Sequence, residues 1–455
     1  MSYVAYDGKV SRCQARDPLH CRFHVGEPHF DNPLDAVYHL EQSNEDQVKY
    51  GCSAKDYEMP VLEEYEKPIQ DLSHVGLPLV VGGAVRDSFL HADNKDIDLE
   101  IYHVDMDGLI SFLRRKKYHV DEVGKRFGVL KVSGNGVHDL DVAVPRSENK
   151  VSAGHRGFHV ETDTNMTVPE AASRRDYTIN AMAYDPVRHR LIDPYGGSAD
   201  MENHVLRAVG DKFSEDPLRV LRGFQIASRF DLHMDSGTIS MCSDLRSAAG
   251  QLSKERVREE WRKFYTRSVN PIAGLQVLRS TGWDDTIPGL HDALSSPGID
   301  DEVLHAWAST DRTMIRSAVF GRHMEADDAH SFYRVTLPNY DEARLAVRLT
   351  KVDSNQLSSE ADRREWEWTN ARRGLGLDVV HEYAEAIGDR KLMELSRLDQ
   401  GVVEPFVNGY DVIRLTERKP GSWVKELLDD VRRKQYEGRF ADKAAALDYV
   451  SSMNR

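Results

Sequence analysis

The stretch VVGGAVRDSFLHADNKDIDLE, residues 80–100, decides the fold. An apolar run ends in Gly82 and Gly83, and after a short amphipathic segment Asp96 and Asp98 flank Ile97. LPLVV (77–81) predicts a buried strand, AVRDSFL (84–90) a short helix, and DIDLEIYH (96–103) an alternating strand. Residues i and i+2 of a strand point the same way, so Asp96 and Asp98 project together. Two carboxylates that close repel each other unless something neutralises them. A hard divalent cation does so, and Mg²⁺ is typically held by one or two carboxylates plus substrate phosphates.

Working outward, MDGLISFLRRKKY (106–118) predicts an amphipathic helix, and FGVLKVSG (127–134) and HDLDVAVP (138–145) two more strands. Asp141 offers a third carboxylate. Asp139 lies on the same strand face, so periodicity leaves that choice open. Gly82 and Gly83 have no side chain to keep a ligand from the backbone. The helix after them would aim free N–H groups and its positive dipole end there. Arg86 adds a fixed charge suited to phosphate oxygens. No GxxxxGK[ST] is present, so this is not a P-loop. Either motif alone also fits an ordinary strand end. Together, in strand–turn–helix–strand order, they point to a phosphate-and-metal site.

At 455 residues the chain is too long for one ordinary domain. Its net charge of −15 argues against a generally adhesive nucleic-acid binder, so a polyanion would need a local basic groove. Four cysteines make no disulfide scaffold and suggest a reducing compartment. The start MSYVAYDGKV lacks a signal pattern and no apolar run reaches membrane-spanning length. The expectation is a cytoplasmic protein with no membrane partner.

Residues 1–70 read as an irregular extension of unknown role. PRSENKVSAGHRGFHVETDTN (145–165) is polar and glycine-containing, and reads as a mobile loop. After about residue 200 strands are no longer expected. DPLRVLRGFQIASRFD (216–231) and SKERVREEWRKFYTR (253–267) have helical spacing, and the chain ends in a Pro-Gly break, a helix, a turn at Gly438 and another helix.

Three later motifs follow in order: SRRDYTINAMAYD (173–185), LIDPYGGSADMENHVLRAVGD (191–211) and EDPLRVLRGFQIASRF (215–230). With GGAVRD and DIDLE they resemble the class II tRNA nucleotidyltransferase family, which includes CCA-adding enzymes and bacterial poly(A) polymerases. VNGYDVIRLTERKPGSWVKELLDDV (407–431) is similar to the tail of bacterial CCA-adding enzymes. The resemblance implies an α+β chain: a nucleotidyltransferase head with a small mixed sheet (71–200), then a helical neck (201–270), body (271–400) and tail (401–455). It implies that Asp96 and Asp98 carry two Mg²⁺ ions, with Asp141 binding the first or taking a proton. It implies that Gly82, Gly83 and Arg86 hold the triphosphate, and that Arg174, Arg175, Asp176 and Asn180 help form the nucleotide pocket. Asp193, Gly196 and Gly197 match the family's head-to-neck segment. Glu215, Asp216 and Arg219 match the motif that selects the incoming base.

Elementary chemistry agrees with that last role. If both residues are helical, Asp216 and Arg219 share a face at i, i+3. Asp accepts from the exocyclic amine of cytosine or adenine, and Arg donates to the neighbouring ring acceptor or carbonyl. G and U present the opposite order and would leave buried groups unpaired. The bland alternative is a surface ion pair.

The expected reaction is CCA addition to the tRNA 3′ end from CTP and ATP. The alternatives are poly(A) synthesis or partial CC- or A-addition. More remote are a phosphohydrolase suggested by His291 and Asp292, and a non-catalytic RNA-binding relative. His155 and Arg156 sit in the loop that matches the family's flexible loop. Arg432, Arg433 and Lys434 are candidate RNA-backbone contacts, with a solvated amphipathic face as the alternative. Cys13, Cys21, His24 and His29 are a candidate structural Zn²⁺ set, at a spacing that fits no standard finger.

Overall fold

The computed structural model describes residues 2–6, 9–13, 29–30, 33–60, 63–89, 97–125, 128–150, 158–359, 362–363, 366–367, 370, 374–397, 405–416 and 418–453. The chain divides into two compact units, one of residues 1–219 and 233–241, the other of 220–232 and 242–455.

The first unit opens with three strands, β1 (Ser2–Tyr6), β2 (Lys9–Cys13) and β3 (His29–Phe30), ordered β2-β1-β3. Helix α1 (Pro33–Tyr50) follows, then β4 (Ala54–Asp56) and α2 (Glu63–Leu72). The sequence reading of residues 1–70 as irregular is therefore corrected. An 18-residue helix was missed because α1 is largely polar; among its residues with described side chains only Asp46 and Tyr50 are buried.

The strands that follow are β5 (Leu77–Val81), β6 (Asp98–Tyr102), β7 (His119–Asp121), β8 (Val129–Gly134) and β9 (Val137–Ala143). Next come the hairpin β10 (Arg146–Lys150) and β11 (Phe158–Thr162), then β12 (Ala183–Asp185) and β13 (Arg190–Ile192). Seven of these join β4 in one eight-stranded sheet, ordered β4-β13-β12-β5-β6-β9-β8-β7. Only the β6–β9 pair is parallel, so the sheet is mixed as expected. It is wider than a small sheet, and its edge strand β4 comes from the supposed extension.

Three contacts fix that extension to the sheet and to a neighbouring helix. Tyr50 donates to the buried Asp185 at 2.8 Å, Arg190 donates to Asp46 at 2.6 Å, and Lys55 donates to Ser198 at 3.0 Å. β5 is buried along its whole length, as its unbroken apolar run predicts. Helices α3 (Gly83–Ser88) and α4 (Met106–Arg115) stand where the periodicity put them, and Asp105 caps α4 by accepting from Gly108 N–H at 2.8 Å. Within the polar stretch expected to be a mobile loop, β10 and β11 pair antiparallel from Arg146↔Thr162 to Lys150↔Phe158.

Helices α5 (Val168–Ala172) and α6 (Gly197–Glu202) complete the surroundings of the sheet. Among the described residues one strand pair lies past residue 200: Val205–Leu206 runs parallel to His233–Met234. The second unit is helical, beginning with α7 (Leu218–Phe230), whose last residues from Val220 belong to it. Its core holds an aromatic cluster of Trp261, Phe264, Tyr265, Phe320 and Phe332, all fully buried. A separate aliphatic cluster of Val407, Val412, Val431, Ala446 and Val450 holds the C-terminal helices together.

Candidate active site

β5 ends at Val81, and the chain turns at Gly82 with φ 74° and ψ −133° before entering α3. Only glycine adopts such angles freely. A Cβ here would also stand 3.1 Å from Arg175 Nη1, so the turn is held close to that guanidinium. Asp98, the first residue of β6, is exposed and lies directly across from Val81 on one side and Asp141 on the other. Three adjacent strands thus bring the glycine turn, Asp98 and Asp141 into one row. The register favours Asp141 over Asp139 as the neighbour of Asp98. Asp96 lies outside the described residues.

Lys131 on β8 bridges both β9 acids, at 3.1 Å from Asp139 and 3.1 Å from Asp141. The Asp139 and Asp141 carboxylates in turn raise the Lys131 pKa. Asp98 and Asp141 offer hard oxygen donors side by side, a donor set that suits Mg²⁺ completed by water and phosphate oxygens.

Glu100, two residues further along β6, was read from the sequence as part of an alternating strand. It is only 8 % exposed and accepts from Tyr102 Oη at 2.8 Å. Burial, and after it the Glu100 charge, pushes the Tyr102 phenol well above its ordinary pKa. Arg175 Nη2 lies 3.9 Å from Glu100 Oε2.

Glu100 and Arg175 border a cavity of about 900 Å³. Its other cationic lining is Arg146, Arg174, Lys212 and Arg219, set against Asp163, Glu170 and Glu215. Such a mixed, locally basic hollow is what an acidic chain needs in order to hold a polyanion. Neither Asp98 nor Asp141 is part of that lining, nor are Gly82, Gly83 and Arg86.

Arg86 is 7 % exposed and donates to Asp87 at 2.8 Å and to Asn180 Oδ1 at 2.6 Å. Asn180 Nδ2 in turn donates to Asp176 Oδ1 at 2.9 Å, which also accepts from Tyr177 N–H at 2.8 Å. This buried chain ties α3 to the 176–180 turn, directly after the two arginines that line the cavity. Charge-assisted bonds of this kind hold backbone segments in register.

The helical reading of Asp216 is corrected. It has φ −130° and ψ 102°, an extended residue just before α7, and accepts from Leu218 N–H at 3.1 Å. Pro217 explains this, because the residue before a proline is driven out of the helical region while an aspartate caps well. Asp216 and Arg219 are therefore not two positions on one helical face. Arg219 donates from Nη1 to the Lys212 carbonyl at 2.7 Å and from Nη2 to the Arg174 carbonyl at 2.5 Å. Glu215 is exposed at the cavity.

Asp193 caps α6, accepting from Gly197 N–H at 2.7 Å and Ser198 N–H at 2.8 Å. Gly197 packs against the backbone of Thr178, with no room for a Cβ.

Arg433 pairs with Glu437 at 3.1 Å and Lys434 with Asp430 at 2.7 Å, one helical turn away in each case. Arg432 shares their helix, Ser422–Tyr436. His291 bonds Asp284 at 2.8 Å and stands 3.2 Å from Asp285, which also pairs with Arg246 at 2.9 Å. Those two acids, rather than Asp292, are its partners, and the sequence reading passed over them. Cys13 and His29 lie on β2 and β3, while Cys21, His24, His155 and Arg156 lie outside the described residues. Among the described residues no helix is long and apolar enough to cross a membrane.

Residues 79–207 match the poly A polymerase head domain. The chain is 36% identical over 208 residues to the multifunctional CCA protein of Psychromonas ingrahamii, covering 45% of this chain and 48% of that one. It spans about half the length of the curated relatives it matches. Among solved structures it superposes on the Bacillus stearothermophilus CCA-adding enzyme in complex with CTP with a TM-score of 0.61 and 21% identity, over 87% of this chain and 98% of that one. The Thermotoga maritima CCA-adding enzyme complexed with tRNA gives a TM-score of 0.57 at 19% identity, over 91% and 99%. Residues 79–207 thus match a poly A polymerase head domain, in a chain whose fold is similar to that of the CCA-adding enzymes.

Proposed function

We propose that this protein is a template-independent RNA nucleotidyltransferase that adds CCA to the 3′ end of tRNA, with CTP and ATP as donors. The observation that carries the reading is the glycine turn after β5 in line with Asp98 and Asp141 on adjacent strands, each acid two residues from a residue that lines the cavity of Arg174, Arg175 and Arg219. The head-domain match and relatives named multifunctional CCA proteins support it. So do similar structures described with CTP and with tRNA. A role in tRNA processing would place the protein in the cytoplasm.

In the proposed reaction the RNA 3′-hydroxyl attacks the α-phosphorus of the donor, a phosphodiester forms and pyrophosphate leaves. Asp96 and Asp98 would hold two Mg²⁺ ions, with Asp141 binding the first or taking the hydroxyl proton. Bound there, the metal supplies a lowered pKa for the hydroxyl and charge neutralisation for the phosphates. Lys131 pairs with Asp141 at 3.1 Å. Arg174 and Arg175 supply the fixed positive charge for the triphosphate, held in place by the Arg86–Asn180–Asp176 chain. Arg219 and Asp216 would read the base edge, Arg219 from a guanidinium already aimed by two carbonyls. The rate would come mainly from orientation and preorganised charge.

The test is incorporation of labelled CMP and AMP into a tRNA transcript that lacks its CCA end, with and without Mg²⁺. Mg²⁺-dependent labelling by the wild type and none by Asp98→Asn is expected. Equal labelling by both would remove Asp98 from the chemistry.

A further inference from the structure

We propose that Glu100 is a positioning residue, holding the Arg175 guanidinium in the orientation that receives the donor nucleotide. The inference rests on the nucleotidyltransferase reading above and deepens it.

Glu100 sits in the middle of β6, across from Leu79 on β5 and Ala143 on β9. A carboxylate that is 8 % exposed at the centre of a sheet loses most of its hydration, so it is tolerated only with partners. It has two. Tyr102 donates to Oε2 at 2.8 Å, and Arg175 Nη2 lies 3.9 Å from the same oxygen. The other end of that guanidinium, Nη1, comes within 3.1 Å of where a Gly82 Cβ would stand. Arg175 is therefore stretched between the glycine turn and Glu100. Both Arg175 and Glu100 line the cavity.

An arginine side chain has much rotamer freedom to lose on binding a phosphate, and a guanidinium already oriented loses less. Glu100 supplies that orientation without touching the reacting atoms. Removing its negative charge alone would strengthen the pull of the cavity on a polyanion. Loss of orientation acts the other way, and the sign of the measured change separates the two.

The test is a double-mutant cycle on the full chain with Glu100→Gln, Arg175→Gln and the double variant. Glutamine keeps the size of Glu100 and still accepts from Tyr102, so the fold is expected to survive. Thermal melting of each variant checks this. CTP and ATP affinity is read by calorimetry, and KM and kcat by extension of a tRNA transcript. Glu100→Gln is expected to raise KM and Kd for both nucleotides about tenfold with kcat changed less than about twofold, and to do nothing further in the Arg175→Gln background. Tyr102→Phe, which leaves the Glu100 charge in place, is expected to shift KM less than about threefold. Tighter binding by Glu100→Gln, or the same loss in both backgrounds, would overturn the proposal. Wild-type protein that binds the nucleotides but extends no RNA would overturn the enzymatic reading while the binding cycle still decides the role of Glu100. Wild-type protein that binds neither nucleotide would overturn both.

Discussion

Replacing Gly197 by alanine is expected to loosen the head through one steric conflict. A Cβ there would lie 2.2 Å from the Thr178 carbonyl oxygen and 2.7 Å from its carbon. Normal contact requires a separation roughly 1 Å or more larger, and the obstacle is backbone rather than a flexible side chain. Gly197 opens α6 after a capped turn, so both segments are anchored and neither yields easily. Overpacking of this kind costs about 1–3 kcal/mol, and a backbone obstacle belongs at the upper end. For a unit of this size about 3 kcal/mol lowers the melting temperature by roughly 6–12 °C. Gly196→Ala is the control: φ is 73°, yet nothing lies within 4 Å of the added methyl. Its cost is the left-handed backbone alone, about 1–2 kcal/mol. Melting of the two variants by circular dichroism compares a clash with a torsion. Thr178 stands between Asp176 and Asn180, so the Gly197 variant should also weaken nucleotide binding. A Gly197→Ala protein that melts with the wild type, or above Gly196→Ala, would refute the close-packing argument.

Other expectations follow from the same structure. Asp98→Asn should fold normally, shifting stability by no more than about 0.5 kcal/mol because the residue is exposed, while extension falls to background. Urea melts and gel-resolved extension read the two effects separately. Tyr50→Phe removes a donor from the fully buried Asp185 and should cost about 1–3 kcal/mol in urea unfolding, a loss expected only if the N-terminal segment is integral to the head. The His291 imidazole, bonded to Asp284, should titrate above its usual value in an NMR titration, and Asp284→Asn should bring it back. Because that pKa is raised on folding, its stabilising contribution is complete below the unfolded value of about 6.5. It is lost as pH rises through the folded value.

The strand–glycine–helix–strand order was legible because each part carries a strong local signal: an unbroken apolar run, a glycine pair and a short period-2 segment. Glu100 was not. Alternation along β6 places it on the face of Asp98, and its approach to Arg175, distant in sequence, is set by the tertiary fold. Arg86 looked like a phosphate ligand because charge type is visible in sequence and partner is not; its partner Asn180 is 94 residues away. Asp216 was misplaced on a helix although Pro217 beside it carried the signal that it is extended. β4 is too short to announce itself, and pairs with β13 across more than 130 residues.

The central claim is tested most directly with three tRNA transcripts, ending at the discriminator base, at C and at CC. Each is incubated with the protein, Mg²⁺ and CTP or ATP, singly and together, and the 3′ ends are read at nucleotide resolution. The account predicts stepwise growth of every transcript to a CCA end, with CTP alone stopping at CC and no growth beyond the final A. Long A tails, growth confined to CC or to the last A, or no growth on any transcript would contradict it.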